Sequence, residues 1–285
     1  MSTFFDLRKE PPDKHASLLK SVEDRSAWLK IEDKLLISAL GGVWPEQPAS
    51  VEYRRVLDVG CGAGDWLIEA AKMYPAIPHL FGVDRRPRLI ARARELAREE
   101  GVADRVEFHV MDALCMLEFP FDFLDLVNIQ MGGYIFRTWE WSKLLHECRR
   151  VTKPGGLIRA VEQDFVGESN SLAFNALMQL LIQTYYHAGY LFAPEHDGLL
   201  REMPHLFDQF GVKHVQECSY PLEFYAHTPE WQHFVQAMPP AITPFVAKWG
   251  RLPDHYEQLC QRALEEVAYS DFHAIWTLLV VWGNK

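Results

Sequence analysis

Three observations in the sequence predict an α/β fold with a doubly wound, mainly parallel sheet. Short apolar runs alternate with helix-length amphipathic segments from about residue 54 to residue 163, as expected when each strand is followed by a helix packed on the sheet. The first run leads into Gly60-Cys61-Gly62-Ala63-Gly64 and then a helical pattern from Trp66 to Met73. A strand, a tight glycine turn and a helix N-terminus together form a nucleotide cradle. Finally, the first three strand-like runs each end at or beside an aspartate: Asp58, Asp84 and Asp112.

Taken in order, residues 1 to about 14 are polar, carry Pro11-Pro12 and read as a loose arm. Between His15 and Leu40, apolar residues fall at helical spacing (Leu18, Leu19, Val22, Leu29, Leu35, Leu36, Leu40). Gly41-Gly42 stops that helix, and Pro45 and Pro48 lead into the core. The expected organisation is an arm and helical lid over residues 1–50, followed by one large domain over 51–285. Core strands are expected at 54–59, 79–83, 105–111, 123–129 and 157–163, a sixth at 212–220 and a last at 272–282. That makes a seven-stranded, Rossmann-like sheet. Pro87 suits the first position of the helix after the second strand. Ser169, Asn170 and Ser171 offer caps for a helix over 172–186. A further helix is expected over 197–210. Two insertions, at about 165–210 and 227–268, are rich in aromatic residues. The second is helical by pattern, with breaks expected at Pro229, Pro239, Pro240, Pro244 and Pro253.

The glycine spacing narrows the ligand. A dinucleotide fingerprint, G-x-G-x-x-G/A, needs a small residue where Asp65 stands. No G-K-[ST] follows, so a phosphate-binding P-loop is excluded. A carboxylate at Asp58 suits an ammonium or sulfonium better than a pyrophosphate. Asp58, Gly60, Gly62 and Gly64 resemble motif I of the class I S-adenosylmethionine (SAM) methyltransferases, [DE]-x-G-x-G-x-G. Asp84, about 20 residues on, stands where an acid accepts ribose hydroxyls. The run from Arg149 to Leu157, with its Lys153-Pro154-Gly155-Gly156 turn, also resembles that family. The resemblance implies SAM as cofactor, held by Asp58, Gly60, Cys61, Gly62, Gly64, Asp84, Arg85, Asp112, Ala113, Asn128 and Gln130. In this family Asp112 binds the adenine amino group, and an N-terminal segment often closes over the cofactor. Glu32 and Asp33 would then face its amino group.

Composition bounds the partners. The net charge is −10, which repels phosphate backbones and argues against nucleic acid. Arg85, Arg86, Arg88, Arg92, Arg94 and Arg98 crowd one segment, but Glu95, Glu99 and Glu100 accompany them and make a solvated, partly paired helix face. With neither a signal-like leader nor a long apolar run, a cytoplasmic protein without membrane contact is expected. Five scattered cysteines and twelve dispersed histidines contain no metal-binding spacing, so no metal is expected. Association into a homo-oligomer is left open.

Methyl transfer is an in-line displacement that relies on positioning, and a base is needed only when the acceptor must lose a proton early. The acceptor pocket is expected beyond strands four and five, under the insertions. Met131, Tyr134, Phe136 and Tyr186 are the substrate candidates, with Tyr185, Tyr190 and Phe192 lining a pocket or packing helix to sheet. Glu162, Asp164 and His187 are the catalytic candidates, and His196 lies in the same insertion. The two carboxylates equally fit a role binding backbone amides, and the histidines a packing role. The substrate expected is a small, largely apolar molecule such as a secondary metabolite or quinone, with O, N or C as acceptor. Two alternatives stay open: a protein or RNA methyltransferase, and a SAM-binding cyclase or binding protein that transfers no methyl group.

Overall fold

Strands form where the apolar runs lie. The computed structural model describes residues 33, 35–47, 52–164 and 168–285. In it β1 (Arg55–Val59), β2 (His79–Asp84), β3 (Val106–Val110), β4 (Leu124–Gln130) and β5 (Thr152–Gln163) lie side by side in the order β3-β2-β1-β4-β5, all parallel. A parallel sheet is covered on both faces, which explains why β4 is buried along nearly its whole length. The helices α1 (Asp65–Met73), α2 (Pro87–Glu99) and α3 (Trp141–Val151) make the crossovers. Pro87 does open α2, and Arg92 on its outer face pairs with Glu95 and Glu99. Strand order reverses between β1 and β4, so a crevice opens beyond their carboxyl ends, the usual ligand position in such sheets.

The far edge is antiparallel. β8 (His273–Asn284) pairs with β5 through Leu278–Asn284 and, on its other side, with β7 (Lys213–Tyr225). A two-residue strand, β6 (Glu168–Ser169), pairs with Ile275 and Ala274, just past the end of β5. Among the described residues the sheet therefore has eight strands, one more than expected. A strand that short leaves no periodic signal in sequence.

The insertions supply α4 (Leu172–His187), a 3-10 turn at Leu200–Glu202, α5 (Met203–Gln209), α6 (Pro229–Trp249) and α7 (Tyr256–Glu266). Ser171 caps α4 by accepting a hydrogen bond from Phe174 N, and Glu266 of α7 accepts from the Ser171 hydroxyl and Ala173 N. The expected proline breaks are a correction. Pro229 sits in the first turn of α6, where its missing N–H costs nothing, and the helix runs on through Pro239, Pro240 and Pro244. Each interior proline removes a backbone bond at a cost of about 3 kcal/mol. The helix is held by tertiary packing: Trp231, Ile242, Phe245 and Val246 are buried, and Trp231 stacks on Phe272 at 4.9 Å. It ends at Gly250, and Pro253 lies in the loop before α7.

One core lies between the sheet and α3 with the insertions. The other lies between the sheet and α1 and α2 and takes in Val43 and Trp44. Trp44 stacks on Tyr74 at 4.5 Å and meets Trp66 edge-on. Residues 35–40 are helical, with Leu36 and Leu40 buried. The expected arm, most of the expected lid helix, Glu32 and Pro48 lie outside the described residues. No helix among the described residues is long and apolar enough to cross a membrane.

Candidate functional site

The turn after β1 is built from backbone hydrogen bonds. Gly60 N and Cys61 N both donate to Val83 O, and Gly62 N donates to a carboxylate oxygen of Asp84 at 3.2 Å. Gly60 has φ +78°, and a Cβ there would come within 2.9 Å of Ile135 Cδ1. The bare backbone lets the turn after β4 close over the crevice. Gly64, expected as a cofactor contact, also has a packing task. It ends the turn at φ +84°, and a Cβ on it would press into the Phe108 ring and reach Ala93 at 3.1 Å. Its absence of side chain serves the packing of α1 and α2 on the sheet.

Asp84 is 4 % exposed and its two oxygens accept four hydrogen bonds. The donors are Gly62 N, Arg86 N at 2.8 Å, Arg86 Nε at 2.9 Å and Arg86 Nη2 at 2.8 Å. Arg85 is exposed beside it. Asp112 is exposed at the end of β3 and accepts from Leu114 N at 2.9 Å, while Ala113 is buried.

Below the glycine turn runs a polar row across three strands. The register sets Asp58 of β1 beside Asn128 of β4, and Asn128 beside Arg159 of β5. Asn128 Nδ2 donates to Asp58 at 2.8 Å, and Arg159 Nη1 donates to Asn128 Oδ1 at 2.7 Å. Arg159 Nε then reaches Glu46 at 2.6 Å, and both of these side chains are almost wholly buried. One row nearer the crevice, Gln130 donates to Asp33 at 2.8 Å. Asn128 is therefore a correction to the expected cofactor contacts. It is fully buried with a hydrogen bond at each end of its amide, and it holds Asp58 instead.

The electrostatics of this corner suit a cation. Burial pushes the Asp58 carboxyl up to about 7, against the Asn128 hydrogen bond and the Arg159 charge that lower it. The buried Cys61 thiol is raised well above its ordinary value, first by desolvation, then by Asp58 and Asp84, with Asp33 adding to them and Arg86 opposing. Three carboxylates thus converge on the glycine turn. Beside them the buried Gln130 Oε1 has no hydrogen-bond partner among the described residues, which costs stability unless a ligand donor completes it. These acceptors fit SAM: Asp58, Asp33 and Gln130 would hold its charged methionine half, and Asp84 its ribose. When bound, SAM supplies a methyl group on a sulfonium, so the chain's own residues need only bind, orient and exclude water.

The catalytic and substrate candidates divide. Glu162 is 2 % exposed and accepts from Gly132 N at 2.7 Å and Gly133 N at 3.0 Å. Burial pushes its carboxyl up to about 8, against those two bonds. It secures the turn after β4, the backbone-binding role weighed above. Asp164 accepts from Thr277 N at 3.0 Å and lies 3.7 Å from His196, tying the end of β5 to β8. Its carboxyl is raised to about 7, chiefly by burial. His187 is exposed in the last turn of α4, next to the exposed Tyr186. Both side chains face solvent at the end of that helix. Met131, at φ +53°, and Phe136, edge-on to Trp141, are packed into the core and shape the turn from below. That leaves Tyr134, whose hydroxyl accepts from Gln163 Nε2 at 2.6 Å and whose ring meets Tyr185 at 5.9 Å. From Tyr185 an aromatic wall continues through Tyr190 and Phe245, with the Arg137 guanidinium over the Tyr190 and Trp249 rings.

Sequence reasoning missed Ile135, the Arg86 clamp and the Glu46–Arg159 pair. For the last a signal existed: Arg159 interrupts an otherwise apolar strand, Leu157 to Val161, and a charge there demands a partner.

Residues 56–156 match a family model described as a methyltransferase domain. The demethylmenaquinone methyltransferase of Bacillus subtilis is 25% identical over 179 residues, covering 59% of this chain and 75% of that enzyme. A ubiquinone/menaquinone biosynthesis C-methyltransferase of Geobacter sulfurreducens is 37% identical over 115 residues, 40% of this chain and 43% of the relative. Thus the second alignment spans less than half of its relative. Among solved structures, the YcgJ protein of Bacillus subtilis superposes with a TM-score of 0.56 at 20% identity, covering 87% of this chain and 98% of that one. Residues 56–156 thus carry a methyltransferase domain, and that match together with the quinone-pathway relatives supports a class I SAM-dependent methyltransferase with SAM as its cofactor.

Proposed function

We propose that the chain methylates a small, largely apolar, ring-bearing acceptor of quinone-like shape. The observation that carries this reading is the aromatic wall beside the crevice. Tyr134 stands at the carboxyl end of β4 with its hydroxyl tied to Gln163, its half-buried ring meets the half-buried Tyr185, and Tyr190 and Phe245, buried behind Tyr185, back this wall from within the fold. Flat rings pack favourably against such a surface in offset or edge-on arrangements, at about 0.5–1.5 kcal/mol per pair beyond area burial. The names of the two enzymes aligned above, both quinone-pathway methyltransferases, support the same class. In this reading Asp58, Gly60, Gly62, Asp84, Asp112 and Ala113 bind the cofactor, and Cys61 lies beneath it. Tyr134 borders the acceptor, and neither Glu162 nor Asp164 stands ready as a base, because both are occupied by backbone N–H groups.

The test is release of S-adenosylhomocysteine from SAM. Reduced demethylmenaquinone and a reduced short-chain naphthoquinone serve as acceptors, against a small aliphatic amine and an unstructured protein substrate. Turnover is expected with the quinols only. Turnover with the amine or the protein and none with the quinols would reject the substrate class while leaving cofactor binding intact.

A further inference from the structure

The row Asp58–Asn128–Arg159–Glu46 is an unusual thing to bury. Arg159 and Glu46 are 0% and 2% exposed at their side chains, and taking an ion pair out of water costs several kcal/mol per charge before the attraction offsets it. An apolar pair of the same volume would stabilise a sheet at least as well. The placement suggests why the pair is there. Glu46 belongs to the segment before β1, and the same segment reaches the crevice through Asp33 on Gln130. Two anchors, one row apart on one face of the sheet, therefore dock residues 33–47 beside the glycine turn. Arg159 also fixes which way the Asn128 amide points. Because Arg159 donates to the amide oxygen, the amide nitrogen must face Asp58.

We propose that Arg159 is a positioning residue of the cofactor site: held by Glu46, it orients Asn128 toward Asp58 and so links docking of the 33–47 segment to capture of the cofactor's ammonium group. The inference rests on Asp58 facing the methionine half of SAM. The charged groups around Asp58 are Arg159 from β5, Asp84 from β2, and, about Cys61, Arg86 and Asp33. Only Arg159 is tied to the docked segment through a buried charge. Removing it should favour the protonated carboxyl. Removing the charge of Glu46 leaves Arg159 less neutralised and should favour the carboxylate.

The experiment is calorimetric binding of S-adenosylhomocysteine to the full chain between about pH 5 and 8, where an Asp58 carboxyl raised to about 7 titrates. The control probe, 5′-methylthioadenosine, shares the nucleoside and lacks the ammonium. In the wild type, affinity for S-adenosylhomocysteine should rise through about pH 7, while that for methylthioadenosine stays flat. Arg159→Met should move the midpoint up by about one pH unit, a roughly fivefold weaker affinity at pH 7 that approaches about tenfold at lower pH. Glu46→Gln, which keeps the shorter of the two hydrogen bonds from Arg159 and loses the charge, should move it down. Methylthioadenosine affinity should follow neither change. Should Arg159→Met fail to fold, the downward shift in Glu46→Gln still decides. Shifts of the same sign, no shift, or equal effects on both probes would overturn the proposal. A wild type that binds both probes without pH dependence overturns it alone, and one that binds neither overturns the cofactor assignment as well.

Discussion

The crevice and the aromatic wall are held together by different forces. On the crevice side directional bonds fix Asp84, which accepts four, the Asn128 amide, which is tied at both ends, and Glu162, which accepts two backbone N–H groups. On the wall side the contacts are mainly ring against ring, and a side-chain bond at its inner end joins Tyr134 to Gln163. Buried directional networks tolerate little change, because an unmade bond in low dielectric is expensive. Ring packing asks only for shape. The difference suits a site whose one half meets the same cofactor at every turnover and whose other half sets the acceptor.

The sharpest way to break this contrast is Asp84→Ala. If the carboxylate receives two ribose hydroxyls, its loss removes charge-assisted bonds of about 1.5–3 kcal/mol each. Affinity for S-adenosylhomocysteine should fall about 100-fold or more, read by calorimetry. The same substitution made at Tyr134 should leave that affinity within a few-fold and act on acceptor turnover. Unchanged cofactor affinity in Asp84→Ala would remove the ribose from this end of β2.

The contrast also explains which parts were legible in the sequence. The parallel half follows from local rules: apolar runs bounded by turns, glycines where φ is positive, and Pro87 at a helix start. Asp58, Asp84 and Asp112 could be found because each stands at or near a strand end. The roles of Gly64 and Asn128 could not, since they depend on partners far away in sequence, Phe108 for one and Arg159 for the other. The wall was equally hidden. Tyr185 and Tyr186 are adjacent on α4, and only the docking of that helix turns one toward Tyr134 and the other to solvent. The prolines of α6 misled for the same reason: local propensity was overridden by the burial of Trp231, Phe245 and Val246.

A smaller effect separates a base from a brace. Glu162→Gln places an amide NH2 against one of the two glycine N–H groups, leaving a buried donor unpaired at about 1–3 kcal/mol. The melting temperature should drop, and turnover should change less than tenfold. A general base lost at this position would instead lower turnover by about 10²–10⁴-fold with the fold intact. The pH dependence carries a sign. The folded carboxyl, near 8, lies above its ordinary value, so its contribution is fully present below about pH 4.5 and is lost as pH rises through about 8. The stability gap between wild type and Glu162→Gln should therefore narrow over that window, and a gap that widens with pH would contradict the burial.

The smallest expected effect is a gain. All four acceptor positions of Asp84 are filled, two of them by the Arg86 side chain, while the backbone donors Gly62 N and Arg86 N belong to the turn itself. Two ribose hydroxyls can be received only where the guanidinium gives way. That exchange has a cost, moderated because the Arg86 side chain is about a third exposed and partly exposed ion pairs contribute about 1 kcal/mol or less. Arg86→Ala should therefore tighten S-adenosylhomocysteine binding by a few-fold, up to about fivefold for 1 kcal/mol. A nucleoside lacking both ribose hydroxyls, 2′,3′-dideoxyadenosine, should bind wild type and variant alike. If Arg86→Ala instead weakens S-adenosylhomocysteine, the guanidinium stays on Asp84 during binding, and the ribose must be held by the backbone of the turn.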